Sequence, residues 1–310
     1  MHPDKLCDRI SDAILDACLQ QDKDSRCAIE TMGGHGIITI TGELTTNAYI
    51  DCIDIAQRIT GGKYGVQTNI VKQSPEIANG VDTGGAGDQG IMVGYACNEN
   101  EEMIPQELYL ARKLCKYLFK MQTEDGKTQI TMEDGKVKTI VASWCNMGKE
   151  MLSIRIKEWI VNFLKRDIDK IEIFANPAGD WNIGGFEADT GLTGRKLAID
   201  NYGSQIEIGG GAFSGKDATK VDRSGAYMAR KIAVDYLTKH GAKEVKTKLA
   251  YCIGEKEPVM AIVEIDGKQE KVKGYDLTPQ GIIEFLDLKK PQFEKTAEWG
   301  HFGNCFKWDY

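Results

Sequence analysis

Histidine is scarce in this chain, with four in 310 residues, and no two cysteines stand at Cys-x-x-Cys spacing. Those two shortages argue against the common structural zinc sites, which need four soft ligands at short regular intervals. The nine cysteines are odd in number and scattered from Cys7 to Cys305. They read as reduced, mostly buried thiols of a cytoplasmic protein and not as a disulfide framework. No apolar run approaches the ~20 residues of a membrane span, and the opening residues hold no apolar signal segment. A soluble, unexported protein is expected. A basic excess is missing too: the net charge is −7, which argues against a general nucleic-acid binder. With seven prolines and no linker of Pro, Ser or Gly composition, nothing separates independent domains. What remains is ordinary globular composition, 42% apolar and 27% charged, at a length that suits two or three units around a shared core.

Hydrophobic periodicity then gives a repeated order of elements. The spacing of Ile10, Ala13, Ile14, Ala17 and Cys18 predicts a helix from Leu6 to Gln20. A hairpin follows, Arg26 to Thr31 and Gly36 to Glu43, across a Met-Gly-Gly-His-Gly turn. A second helix is expected from Thr46 to Ile59, stopped by Gly61-Gly62. The same order returns as a helix from Pro105 to Met121, a hairpin turned by Asp134-Gly135, and a helix from Lys149 to Lys165. It returns again as a helix from Asp222 to Gly241, strands at Lys246–Ile253 and Val259–Ile265, and a helix from Pro279 to Leu286 opened by Thr278. Residue identity between the copies is weak, so the pattern repeats and the sequence does not. The expected fold is one α+β body of pseudo-threefold organisation, with approximate units 1–104, 105–175 and 176–310.

The chemistry concentrates between the units. Gly209-Gly210-Gly211-Ala212-Phe213-Ser214-Gly215-Lys216-Asp217 leads through Lys220 and Asp222 into a helix. Glycines without side chains, two lysines four residues apart, carboxylates and a helix N-terminus are the parts needed to hold a polyphosphate with Mg²⁺. A Gly-rich turn into a solvated helix is the plainer reading of three glycines alone, but the interleaved lysines and aspartates tell against it. Gly210-x-x-x-x-Gly215-Lys216 resembles a Walker A loop, yet Asp217 stands where the Mg²⁺-binding Ser or Thr belongs. Asp4, Asp88 and Asp222 each stand beside glycine- or lysine-rich stretches, where an aspartate alone would usually be a helix cap. Arg195-Lys196, after Gly-Leu-Thr-Gly, reads as a clamp on ligand charge. Trp181 is either a core aromatic or a platform for a purine ring.

These strings together resemble one family. His2-Pro3-Asp4-Lys5 with Asp8 and Ser11-Asp12-Ala13, Gly42-Glu43, Gln73-Ser74-Pro75, Gly85-Ala86-Gly87-Asp88-Gln89-Gly90, Gly191 to Lys196, Gly209 to Asp217 and Gly300-His301-Phe302-Gly303 are similar, in order, to the S-adenosylmethionine synthetases. The resemblance implies a fold of three intertwined β-α-β-β-α-β units. It implies that the methionine sulfur attacks C5′ of ATP and expels triphosphate, which is then hydrolysed to pyrophosphate and phosphate. Two Mg²⁺ per site and K⁺ are the implied cofactors, and ATP and L-methionine the partners. A homodimer or homotetramer with the site shared between subunits is also implied.

By the same resemblance, His2 sits by the departing oxygen, Asp4 and Asp222 hold Mg²⁺, and Glu30 holds K⁺. Lys127, Arg195, Lys196 and Lys216 neutralise the triphosphate. Asp125, Asp180, Trp181 and Ala212 line the nucleoside, and Asp189 serves both substrates. Glu43, Gln73, Asp88 and Lys220 surround methionine. Two departures stand out. Met1 takes the place of the family's glycine, so His2 and Asp4 are expected to lack their usual tether, with either a truncated chain or another segment that anchors them. The Gln73–Asp88 connection is shorter than usual, which implies a small or absent lid. A non-catalytic relative that binds nucleotide or partners a full-length subunit is the alternative.

Overall fold

A computed structural model of the chain describes residues 1–73 and 84–310. Helix α1 (Pro3–Gln21) starts earlier than its apolar stripe predicts. The cause is local: proline at the first helical position wastes no donor, and His2 Nδ1 accepts the Asp4 N–H at 3.2 Å. Strands β1 (Arg26–Gly34) and β2 (Ile37–Thr45) run longer than expected. They turn on His35 and Gly36 alone, both at positive φ, which matches the twist of the paired strands better than a five-residue loop. Helix α2 (Cys52–Thr60) is shorter than expected because Asp51 accepts the N–H groups of Ile53 and Asp54 and fixes its start there. Strand β3 (Gly65–Val71) then lies parallel to β2, and β4 (Gly90–Cys97) follows.

The second section repeats the order. It comprises α3 (Gln106–Met121), the hairpin β5 (Gly126–Glu133) and β6 (Lys136–Trp144), α4 (Lys149–Trp159) with one π turn after it, and β7 (Glu172–Ala175) parallel to β6. After β8 (Gly191–Leu192) and the single turn α5 (Leu197–Asp200) comes the third copy. It is α6 (Val221–His240), β9 (Glu244–Tyr251), β10 (Met260–Ile265), β11 (Lys268–Lys271) and α7 (Pro279–Leu286), closed by α8 (Phe293–Trp299).

Three sheets result among the described residues, ordered β3-β2-β1-β8, β11-β10-β9-β4 and β5-β6-β7. The sections are threaded through one another. β8 adds to β1 with Met32 opposite Leu192, and β4 pairs with β9 along its whole length, from Gly90 opposite Tyr251 to Cys97 opposite Glu244. This is the α+β architecture expected from the repeat, intertwined as the resemblance implies. The core joins Ile10, Ile14 and Leu15 of α1 to Tyr227, Ile232 and Ala233 of α6 and to Trp144, Phe302 and Trp308. Burying a large apolar side chain contributes about 1.5–3 kcal/mol.

All nine cysteines are free, and five are buried. Burial pushes their thiols up, Cys97 to about 11, so they stay protonated and inert. No helix among the described residues is long and apolar enough to cross a membrane.

Candidate active site

Helix α1 is the ruler of the site. Asp4, Asp8 and Asp12 are one turn apart and share a face. Each accepts a main-chain N–H from a segment distant in sequence: Asp4 from Leu192 at 2.9 Å, Asp8 from Gly194 at 2.8 Å and Asp12 from Gly215 at 2.8 Å. Between them, Ser11 Oγ hydrogen-bonds to the hydroxyls of Thr31 and Thr193 at 2.8 and 2.9 Å. The loops can come this close because they arrive as glycine. A Cβ on Gly191 would stand 2.3 Å from the Pro3 carbonyl carbon, and one on Gly215 only 1.9 Å from the Ile29 oxygen. The Gly191–Lys196 segment thus holds Asp4 in place through the Leu192 N–H.

Two lysine–aspartate pairs sit on this frame. Lys196 Nζ is hydrogen-bonded to Asp4, with Arg195 Nε 3.8 Å and His2 Nδ1 3.8 Å from the same carboxylate. Lys216 Nζ lies 2.6 Å from Asp222 Oδ2, at the first turn of α6. The loops carrying the pairs touch, since a Cβ on Gly194 would meet Ala212 Cβ at 2.6 Å. Burial works against the Asp4 charge, but Lys196, the Leu192 N–H and Arg195 outweigh it and hold the carboxyl below its ordinary range. His2 moves down as well. Burial and the Lys196 and Lys127 ammonium groups pull it below 6.5 against Asp125 and Asp4, which leaves a neutral imidazole at pH 7.

The three consecutive glycines are explained differently from the sequence reading. A Cβ on Gly209 would meet the Ile91 oxygen at 2.4 Å, and one on Gly211 would meet the Asp222 carboxyl at 2.3 Å. Only Gly210, at φ 92°, faces open space. Two of the three therefore make room for the protein itself. Asp217 is not an open oxygen ligand either. It is buried, and it accepts Cys27 N–H at 2.7 Å, Thr219 Oγ1 at 2.6 Å and Lys220 Nζ at 2.5 Å, which ties the loop to β1.

Of the other expected site residues, Asp125 is buried, with Oδ2 accepting the Gly185 N–H at 3.0 Å and Oδ1 without a partner among the described residues. Asp125 and Lys127 lie near enough to His2 for their charges to act on it. Asp180 Oδ1 accepts the Lys149 N–H at 2.8 Å and so caps α4. Trp181, half-buried, accepts the Asn146 N–H through its carbonyl. Glu30 and Glu43 lie opposite Thr41 and Ala28 in the β1–β2 ladder. Gln73 N–H donates to Thr45 Oγ1, and Asp88 and Asp189 each accept the N–H of the next residue. Among the described residues, no hydrogen bond or ion pair connects Glu30, Glu43, Gln73, Asp88 or Asp189 to either lysine pair. The expected short lid falls largely on 74–83, outside the described residues, as do Ser74 and Pro75.

The sequence reading gave no role to Lys5, Asp8, Asp12 or Arg223. Lys5 Nζ is buried 2.6 Å from Asp200 and 3.0 Å from Asp8, and it pins α5 to α1. The available signal was a one-turn repeat of aspartates on a helix that also carries an apolar stripe.

With no group of three or more His, Cys, Asp or Glu converging among the described residues, a fully protein-made metal cage is not what this site offers. Single carboxylates flanked by lysines instead suit Mg²⁺, which binds through one or two carboxylates and substrate phosphates.

Comparison with known proteins bears on the same residues. The family models described as S-adenosylmethionine synthetase N-terminal, central and C-terminal domains match residues 1–75, 83–181 and 183–310. An S-adenosylmethionine synthase of Treponema denticola is 40% identical over 361 aligned positions, covering 99% of this chain and 92% of the relative. Because that alignment is longer than this chain, the relative carries stretches that this chain lacks.

Proposed function

Because the chain belongs to the S-adenosylmethionine synthetase family, we propose that its two lysine–aspartate pairs divide the triphosphate of ATP between them. The chain is an ATP:L-methionine S-adenosyltransferase, joining ATP, L-methionine and water into S-adenosylmethionine, pyrophosphate and phosphate. Coverage of nearly the whole chain by a synthase does not favour a non-catalytic relative.

One observation carries the residue assignment: each lysine is already paired with the carboxylate expected to bind metal, Lys196 with Asp4 and Lys216 with Asp222. The family uses metal ions, and in our reading Asp4 and Asp222 hold two Mg²⁺ while Glu30 holds K⁺. Bound Mg²⁺ supplies neutralising charge for the phosphates. Lys196 and Lys216 turn from the aspartates to phosphate oxygens, joined by Arg195 and Lys127. Such preorganised cations lower the cost of expelling a leaving group of about four negative charges. His2, neutral at pH 7, can donate a hydrogen bond to the departing oxygen without adding a fixed charge. Trp181, Asp125, Asp180 and Ala212 receive the nucleoside. Asp189 is shared between the substrates, and Glu43, Gln73, Asp88 and Lys220 receive methionine. Holding the sulfur in line with C5′ matters because a thioether is a weak nucleophile.

Glu43, Gln73, Asp88 and Asp189 make no hydrogen bond or ion pair to either lysine pair among the described residues, and in our reading a second copy completes the site, in a dimer or tetramer. Exposed Met32, Ile37, Val71 and Ile91 on β1 to β4 offer apolar surface for it. We place the reaction in the cytoplasm. The test incubates the protein with ATP, methionine, Mg²⁺ and K⁺ and follows S-adenosylmethionine and phosphate separately. Both products should form, and both should fall together by about a hundredfold in Lys216→Ala and Asp222→Asn. Full activity in either variant would refute the assignment of the pairs.

A further inference from the structure

Arg223 stands next to the expected metal ligand Asp222 but points the other way, into the core, where it is fully buried. It meets the equally buried Asp12 of α1 in a two-pronged pair: Nη1 to Oδ1 at 2.7 Å and Nη2 to Oδ2 at 3.0 Å. The same groups grip the lysine loop. Asp12 Oδ1 accepts the Gly215 N–H at 2.8 Å, and Arg223 Nη1 donates to the Lys216 carbonyl at 3.0 Å. The segment Gly215–Lys216 is thus held at its entry by one member of the pair and at its exit by the other.

The remaining guanidinium donors are used up as well. Nε donates to Tyr227 Oη at 2.9 Å and Nη2 to Thr296 Oγ1 at 3.1 Å, so all five N–H groups have partners. Tyr227, accepting from Arg223, is hydrogen-bonded in turn to His301 Nδ1 at 2.6 Å. The guanidinium plane lies 4.2 Å from the Phe293 ring centre. No rotation is left to it.

Burying an ion pair costs desolvation of the same order as the attraction it gains, so such a pair is weak evidence for a role in stability. A fork with every donor committed is well suited to fixing a position. We propose that Asp12 and Arg223 are positioning residues for catalysis, which set the place and direction from which the Lys216 ammonium meets the triphosphate. The inference rests on the assignment of Lys216 to that group. A displacement of about 1 Å at such a site can cost roughly a hundredfold in rate.

A second buried pair on the same helix provides the control. Arg230 Nε lies 3.0 Å from Asp309 Oδ1, and Arg230 otherwise donates to the carbonyls of Tyr95, Glu102 and Met103, none on a phosphate loop. The experiment compares Arg223→Lys, Asp12→Asn and the control Asp309→Asn in the full-length protein. Melting temperature, kcat, the KM for methionine and hydrolysis of added tripolyphosphate are measured for each. Arg223→Lys keeps the charge but cannot fill five bonds. It should lower kcat and tripolyphosphate hydrolysis by about tenfold to a hundredfold, with the methionine KM within about twofold. Asp309→Asn should lose activity only as far as it loses folded protein.

In a Lys216→Ala background, Arg223→Lys should cost nothing further, since the group it positions is gone. Equal losses in the two buried-pair variants, in step with their melting temperatures, would overturn the proposal, as would additive losses in the double variant. If Arg223→Lys does not fold, Tyr227→Phe removes one support of the guanidinium. It should lower tripolyphosphate hydrolysis by about threefold with the methionine KM unchanged, and no loss there would also overturn the proposal. A Lys216→Ala variant with wild-type activity would instead overturn the assignment of Lys216.

Discussion

Gly215 and Gly241 share a left-handed backbone, at φ 82° and 59°, and differ in what a side chain would meet. A Cβ on Gly241, just past the end of α6, meets nothing within 4 Å. Gly241→Ala should therefore cost only the conformational penalty of an L-residue there, about 1–2 kcal/mol. A Cβ on Gly215 lies 1.9 Å from the Ile29 oxygen and 3.1 Å from Ser11 Cβ. To relieve that overlap the loop must leave β1, which loses the 3.0 Å Ile29 N–H to Gly215 O bond and loosens the Gly215–Asp12 bond. Overpacking of about 1–3 kcal/mol and about 1 kcal/mol for the lost bond then add to the conformational term, for a total of roughly 3–6 kcal/mol. That is a large share of the 5–15 kcal/mol that stabilises a typical protein. Urea unfolding followed by tryptophan fluorescence would report both variants. The midpoint should fall at least twice as far for Gly215→Ala as for Gly241→Ala. Synthetase activity per folded molecule should drop in the first and hold in the second. Equal midpoint shifts would refute the reasoning, because they would mean that the close approach to β1 contributes nothing.

Burial and the cations Arg223, Lys5 and Arg112 push His301 well below 6.5, so below that pH only the unfolded chain takes up its proton. Stability should fall as pH drops below 6.5, by up to about 1.4 kcal/mol per unit from this group. Urea midpoints at pH 7.5 and 5.5 should show a smaller difference in His301→Asn, and an unchanged difference would count against the buried neutral imidazole. Asp180→Ala removes the cap of α4 and should cost about 1 kcal/mol in thermal unfolding, alongside any effect on ATP; an unchanged melting temperature would argue against the cap. Asp217→Asn strips Lys220 of its buried partner and should cost about 3 kcal/mol. The Mg²⁺ concentration for half-maximal activity should stay put in that variant and rise in Asp222→Asn, and the reverse pattern would exchange the roles given to the two aspartates.

Much of the fold was legible because it is written in local terms. Asp134-Gly135 closes its hairpin in the conformation that dipeptide favours, Thr278 caps α7 through the Gly281 N–H, and Gly241 ends α6. Each depends on residues within a few positions of one another. The lysine loops were legible as unusual segments too, because consecutive glycines are costly unless something lies close against them, and here that is partly the protein itself. Illegible were the partners that lie far off in sequence. β8 is two residues long and is a strand only because the edge of β1 accepts it. β4 finds β9 some 150 residues away. In the same way, composition marks Asp12 and Arg223 only as charged residues on two helices, which the sequence alone would place at the surface. Tertiary packing buries both, and a buried charge must find its counter-charge and fill its hydrogen bonds. That demand, which no local pattern expresses, decided that α1 would be the frame on which the two lysine loops are hung.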